Sequence, residues 1–100
     1  MIVTVIDEQL SRAVVVFVWS DPRRPWPSSD PDAVARVFGP AARDLLGHIS
    51  GVLAQVDRVP VEGDLALYGR HVTEFLAAKH PELTESAREA IAARCTYAER

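Results

Sequence analysis

From residue 31 onward, apolar residues recur every three or four positions, which is the spacing of one face of an α-helix. The clearest run lies within residues 40–56 and consists of Ala42, Leu45, Leu46, Ile49, Leu53 and Val56. Short polar signals divide this pattern into segments. Asp30, Asp64 and Thr84 are residue types that cap helix starts, whereas Gly39-Pro40 and Pro81 end helices. The pattern therefore predicts four helices after residue 30.

Two glycines interrupt the apolar pattern of residues 40–56. Gly47 and Gly51 lie one helical turn apart, and each glycine inside a helix costs about 1 kcal/mol relative to alanine. The usual compensation is the close approach of another element. We therefore predict that a neighbouring segment packs on these glycines, with ligand access to the helix as the alternative.

The N-terminal segment allows two interpretations. Residues 13–19 are rich in valine and aromatic residues, which is typical of a strand. However, the apolar positions also follow helical spacing, and Thr4 and Asp7 resemble a capping box. We predict a helix from about Val5 to Trp19. The alternative is a hairpin of residues 2–6 and 14–19 packed on helices. The expected fold is a single all-α domain of about five helices over residues 1–100, and the alternative is α+β.

Composition narrows the class of function. The chain has 100 residues, 48% of them hydrophobic, and a net charge of −3, which argues against nucleic acid as a partner. A single cysteine, Cys95, excludes an intramolecular disulfide bond. The longest apolar run, residues 13–19, is too short to span a bilayer, and the N-terminal residues lack the pattern of a signal peptide. We expect a cytoplasmic protein without a membrane partner.

The sequence offers little catalytic or metal-binding chemistry. The three histidines, His48, His71 and His80, fall in separate segments without the spacing of a metal site. Cys95 belongs to the apolar stripe of the last helix, where a buried thiol is ordinary. No serine lies in a nucleophile turn and no glycine-rich phosphate loop is present. We therefore expect neither an enzyme nor a bound cofactor or metal.

A proline-rich segment carries the residue types that dominate protein interfaces. Residues 19–30 contain two tryptophans and an arginine pair, and tryptophan and arginine are enriched among the residues that contribute most binding energy. The predicted protein-binding residues are Asp21, Arg23, Arg24, Trp26, Asp30 and Asp32. The alternative is that Trp26 folds back over the core as a lid.

The C-terminal third resembles a family of small bacterial immunity proteins, which are encoded beside polymorphic or contact-dependent toxins. An aliphatic helix, a His-Pro-x-Leu-Thr turn and an alanine-rich helix ending at Thr-Tyr carry the resemblance. The matching residues are Phe75, Leu76, His80, Pro81, Glu82, Leu83, Thr84, Ala87, Ile91, Thr96 and Tyr97. The resemblance implies a non-catalytic protein that binds and neutralises a cognate toxin, and it assigns no functional residue.

A second hypothesis needs no toxin. A homo-oligomeric structural or regulatory helical domain would use Trp26 and the Gly47/Gly51 face for self-association. Nucleic-acid binding through Arg23 and Arg24 is less favoured, because acidic residues surround this arginine pair.

Overall fold

Five α-helices and one 3-10 turn form the regular structure of the described residues. The computed structural model describes residues 5–21 and 23–99. The helices are α1 (Glu8–Val18), α2 (Pro31–Phe38), α3 (Ala42–Val56), α4 (Leu65–Lys79) and α5 (Glu85–Ala98), and the turn Gly39–Ala41 joins α2 to α3. No strand occurs within the described ranges. The prediction of an all-α fold with about five helices is confirmed.

The first helix is shorter than the sequence predicted. Asp7 is its N-cap, because the Asp7 carboxylate accepts a hydrogen bond from the backbone N–H of Leu10 at 2.9 Å. The helix therefore begins at Glu8 and not near Val5, while Thr4 lies outside the described residues. Residues 14–18 are helical, so the hairpin alternative is not needed. Helical spacing outweighed the strand-like composition of this segment because Ala13, Val14 and Val18 share one buried face.

The residues predicted to begin and end helices α2, α4 and α5 do so in the structure. Asp30, Asp64 and Thr84 cap α2, α4 and α5, and each side chain accepts a backbone N–H bond from the first turn of its helix. Gly39 ends α2 with φ of 57°, a conformation that glycine adopts without the steric cost of a Cβ atom. His80 ends α4 immediately before Pro81. These contacts span only two to four residues, which explains why the sequence predicts them.

Helix α5 is the central packing element, since it lies against both α4 and α1. Its buried face consists of Ala87, Ala90, Ile91, Ala92 and Cys95. The small side chains let α4 approach closely. At Gly69 of α4, an added Cβ atom would lie 3.3 Å from the Thr96 methyl group. The close helix contact predicted at Gly47 and Gly51 is therefore found at a different glycine.

One continuous hydrophobic core connects all five helices. Its largest fully buried side chains are Ile49, Leu76, Leu83, Ile91, Val14, Val18, Val34, Val56 and Val72. Burial of each contributes about 1.5–3 kcal/mol. Where α1 meets α2, the Arg12 guanidinium lies 5.7 Å from the centre of the Phe38 ring.

The turn between α4 and α5 is fastened to two other helices. The Asp7 backbone N–H donates to the Glu82 carbonyl at 2.8 Å, and the Thr84 backbone N–H donates to the buried Ser11 hydroxyl at 3.0 Å. His80 contacts Glu82 through Nδ1 at 2.9 Å and Gln55 of α3 through Nε2 at 2.6 Å. The His-Pro-x-Leu-Thr segment therefore has a structural role, because it joins the turn between α4 and α5 to α1 and α3.

Candidate protein-binding surface

The loop of residues 19–30 folds back along the end of α1. The backbone N–H groups of Ser28 and Ser29 donate to the Val18 carbonyl at 2.9 and 3.4 Å, and that of Asp30 donates to the Phe17 carbonyl at 3.1 Å. Ser29 adopts φ of 49°, a left-handed conformation that costs energy for a residue other than glycine. The C-terminal end of the loop is therefore fastened to the end of α1, where the loop begins.

A single carboxylate organises the tip of the loop. Asp21 accepts hydrogen bonds from the Nε atoms of Arg23 and Arg24 at 3.2 and 3.1 Å and from the Arg23 backbone N–H at 3.0 Å. The side-chain hydrogen bond from Arg23 is the main cause that lowers the pKa of Asp21 below its ordinary value. The Arg24 guanidinium also lies 5.4 Å from the centre of the Trp26 ring, within the range of a cation–π interaction.

Three aromatic residues meet beside this carboxylate–arginine group. Trp19 and Trp26 of the loop and Tyr97 of α5 line a cavity of about 330 Å³ together with Ala93 and Thr96. Their exposed fractions are 38%, 39% and 42% respectively. Large aromatic side chains that remain this exposed and lie together are typical of a binding surface. We call Trp19, Trp26, Tyr97, Arg23 and Arg24 the aromatic–arginine surface.

A second cavity lies beside the loop. It has a volume of about 560 Å³ and lies between the loop and the start of α2. Arg23, Arg24 and Arg36 contribute its cationic groups, Asp21 and Asp30 its carboxylates, and three serines complete the polar lining. The hydroxyl groups of Ser20 and Ser28 are hydrogen-bonded to each other.

The structure separates the six predicted site residues into two groups. Asp21, Arg23, Arg24 and Trp26 contact one another at the loop tip. Asp30 is occupied as the cap of α2, where its side chain accepts the Asp32 backbone N–H at 2.9 Å, although it also lines the second cavity. Asp32 is an exposed residue of the first turn of α2.

Trp26 lines the aromatic cavity together with residues of the C-terminal end of α5, and more than a third of its surface is exposed. Its role in protein binding stays a prediction. The six predicted site residues did not include Trp19 and Tyr97 of the aromatic–arginine surface or Arg36 of the second cavity. Tyr97 and Arg36 are ordinary helix residues in the sequence pattern, and the packing of α5 and α2 brings them to the loop.

A third depression lies over Gly47 and Gly51, and it overturns the packing prediction for these glycines. An added Cβ atom at either position would meet nothing within 4 Å. Leu10, Val52 and the polar groups of Gln55, His80 and Glu82 contribute to a groove of about 320 Å³. Because neighbouring helices meet α3 on its other faces, the two glycines form an open strip.

Cys95 has the surroundings of a core residue. Cys95 is 6% exposed, and burial is the main cause that raises the pKa of its thiol. Burial likewise raises the pKa of Tyr68, which interacts with Cys95. Among residues 5–21 and 23–99, no group of three or more histidine, cysteine, aspartate or glutamate side chains is arranged to hold a metal ion. The core position predicted for Cys95 is confirmed.

Comparison with protein-family models, curated proteins and solved structures gives no match. None of the helices in the described part of the chain combines the length and apolar character needed to span a membrane.

Proposed function

We propose that this protein is a non-catalytic protein-binding module, and that it acts as an immunity protein that binds and neutralises a cognate bacterial toxin. The observation that carries the binding role is the aromatic–arginine surface. Two tryptophans and a tyrosine, each 38–42% exposed, lie beside two arginines on a loop whose base is fixed by backbone hydrogen bonds.

Physical chemistry favours protein binding at such a surface. Aromatic rings supply large contact area with few rotatable bonds, and a loop that is already ordered loses less entropy when a partner binds. Asp21 restrains Arg23 and Arg24 in the unbound state. A partner therefore meets a surface that is partly organised before contact.

We assign the partner to the class of bacterial toxins because residues 68–97 resemble immunity proteins. The net charge of −3 is consistent with this class, because an acidic inhibitor associates faster with a basic target. A cytoplasmic location would place the inhibitor where it protects the cell that makes the toxin.

A growth assay tests this proposal directly. The reading frame next to the gene for this chain is expressed alone and together with the protein. Growth arrest that co-expression relieves, with formation of a one-to-one complex, is the expected result. An adjacent product that is harmless, or toxicity that the protein leaves unchanged, would contradict the toxin assignment.

Variants at the surface test the binding site. Trp26→Ala should weaken the complex by about 2 kcal/mol or more, which is roughly 30-fold in Kd. Val61→Ala is the matched control, because Val61 is an exposed apolar residue in the connector between α3 and α4. Isothermal titration calorimetry measures both. Equal affinities for the two variants would place the interface elsewhere.

A homo-oligomeric helical domain is the second candidate function, and the open Gly47/Gly51 strip favours it. Exposed glycines allow two helices from separate copies to approach closely. Light scattering over a range of concentrations distinguishes the candidates, because a protein that stays monomeric throughout excludes self-association through this strip.

A further inference from the structure

We infer that the cavity between the loop and α2 binds a carboxylate from an acidic segment of the partner protein. The inference rests on the proposed protein-binding function and names the chemistry of one contact within it. Three arginines converge on this cavity from two separate parts of the chain, and Arg36 comes from α2.

The hydrogen bonds that Asp21 accepts from Arg23 and Arg24 leave the terminal nitrogens of both guanidinium groups available for a ligand. Both hydrogen bonds to Asp21 use Nε, so the two Nη nitrogens of each guanidinium take no part in them. A guanidinium presents its N–H donors in a planar fork that matches a carboxylate. Because Asp21 restrains both side chains, two such forks are held among the residues that line the cavity before a ligand arrives.

The charges of the lining favour one additional anion. Arg23, Arg24 and Arg36 supply three positive charges against the two negative charges of Asp21 and Asp30. Both carboxylates are already engaged, Asp21 with the two arginines and Asp30 with the start of α2. One unit of positive charge therefore remains for a ligand.

Hydroxyl groups complete the donor set. Either Ser20 or Ser28 donates the hydrogen bond between them, and the hydroxyl that accepts it keeps its own proton for another acceptor. A carboxylate in the cavity would therefore meet charged and neutral donors together.

Two further observations identify the source of the carboxylate. The cavity volume of about 560 Å³ accommodates a side chain with part of its backbone, which exceeds what an isolated ion fills. Arg24 also contacts Trp26 of the aromatic cavity, so one partner segment can occupy both sites with an acidic residue beside an apolar one. A polyanion such as nucleic acid is disfavoured, because the excess is one charge and the whole chain carries −3.

Titration of the ¹⁵N-labelled protein with acetyl-tetraglutamate amide tests the inference. At constant ionic strength, we expect saturable chemical-shift changes at the backbone amides of Arg23, Arg24 and Ser28, with Kd in the millimolar range. The isosteric acetyl-tetraglutamine amide should cause no saturable change. Inorganic phosphate is titrated separately, and tight phosphate binding without tetraglutamate binding would overturn the assignment to an acidic segment.

Charge-matched variants locate the site. The double variant Arg23→Ala/Arg24→Ala should weaken tetraglutamate binding by about tenfold or more. The control Arg58→Ala/Arg70→Ala removes the same charge from exposed residues that do not line the cavity, and it should bind normally. Arg36→Ala provides an independent variant, because Arg36 makes none of the hydrogen bonds that hold the loop.

Equal losses in the test and control variants would show a diffuse charge effect and overturn the inference. This result is distinguishable from failure of the proposed function. If tetraglutamate does not bind but Trp26→Ala still weakens the toxin complex, the carboxylate site is wrong and the binding module stands.

Discussion

Replacing Gly47 or Gly51 with alanine should stabilise the protein. A glycine that packs against another helix would show the opposite effect, because the added methyl group would clash with that helix. Both residues lie inside α3, and a Cβ atom built at either position meets no atom within 4 Å. The new methyl group therefore neither clashes nor gains packing. Only the intrinsic helix preference changes.

The magnitude follows from that preference. Alanine is about 1 kcal/mol more favourable than glycine in a helix interior. The free energy of unfolding of each variant should therefore be about 1 kcal/mol higher than that of the wild type. For a domain of this size, 1 kcal/mol raises Tm by about 4–8 °C. The two sites lie one turn apart without touching a common neighbour, and the double variant should gain about 2 kcal/mol.

Urea unfolding followed by tryptophan fluorescence or circular dichroism measures these changes, and Gly63→Ala is the matched control. Gly63 has φ of 71°, and an added Cβ atom would lie 2.6 Å from the Leu67 Cδ2 atom. Alanine in the left-handed region costs about 1–2 kcal/mol, so this variant should be destabilised. The same substitution therefore has opposite signs at the two kinds of site.

Loss of stability in Gly47→Ala or Gly51→Ala would refute this reasoning, because it would mean that another segment covers the strip in solution. The dependence of the oligomeric state on protein concentration tests self-association separately. If self-association uses the strip, the methyl groups should weaken the oligomer while the isolated chain becomes more stable.

Three other predictions concern single residues, namely Ser11, Cys95 and Asp21. Ser11→Ala removes the acceptor of the Thr84 backbone N–H and should cost about 1–3 kcal/mol in urea unfolding, whereas Ser50→Ala on the exposed side of α3 should have little effect. Cys95 should react slowly with Ellman's reagent in the native protein and quickly in urea, because burial raises its pKa; equal rates would contradict its core position. The Asp21 pKa is lowered in the folded state, so its contribution to stability is present at neutral pH and is lost as the pH falls below 3.8. The difference in urea midpoint between the wild type and Asp21→Asn should therefore shrink from pH 7 to pH 3, and a constant difference would contradict the assignment.

The surface predicted from the sequence was incomplete for an identifiable reason. The composition of residues 19–30 predicts a protein-binding loop, which stays a prediction, and the contacts among Asp21, Arg23, Arg24 and Trp26 join residues that are close in the sequence. Tyr97 joins that loop from the last helix of the chain, and Arg36 joins it from the last turn of α2. No local pattern distinguishes them from other exposed helix residues.

The glycines show the same division. A glycine pair at helical spacing predicts a close contact, yet Gly47 and Gly51 are open and Gly69 is the glycine that faces a neighbouring helix. The sequence shows where side chains are missing. Which of those gaps another helix fills depends on how α3, α4 and α5 pack.

By itself, the sequence determined the helices of this protein and most of their ends. Caps such as Asp30, Asp64 and Thr84 act on backbone groups two or three residues away, and apolar spacing defines the buried face of each helix. The tertiary structure alone decided which surfaces remain open. Its packing leaves the Gly47/Gly51 strip uncovered, brings Tyr97 to the tryptophans and places Arg36 beside the arginine pair. The physical reason is range, since helix formation depends on near neighbours whereas a binding surface depends on segments that only the folded core brings together.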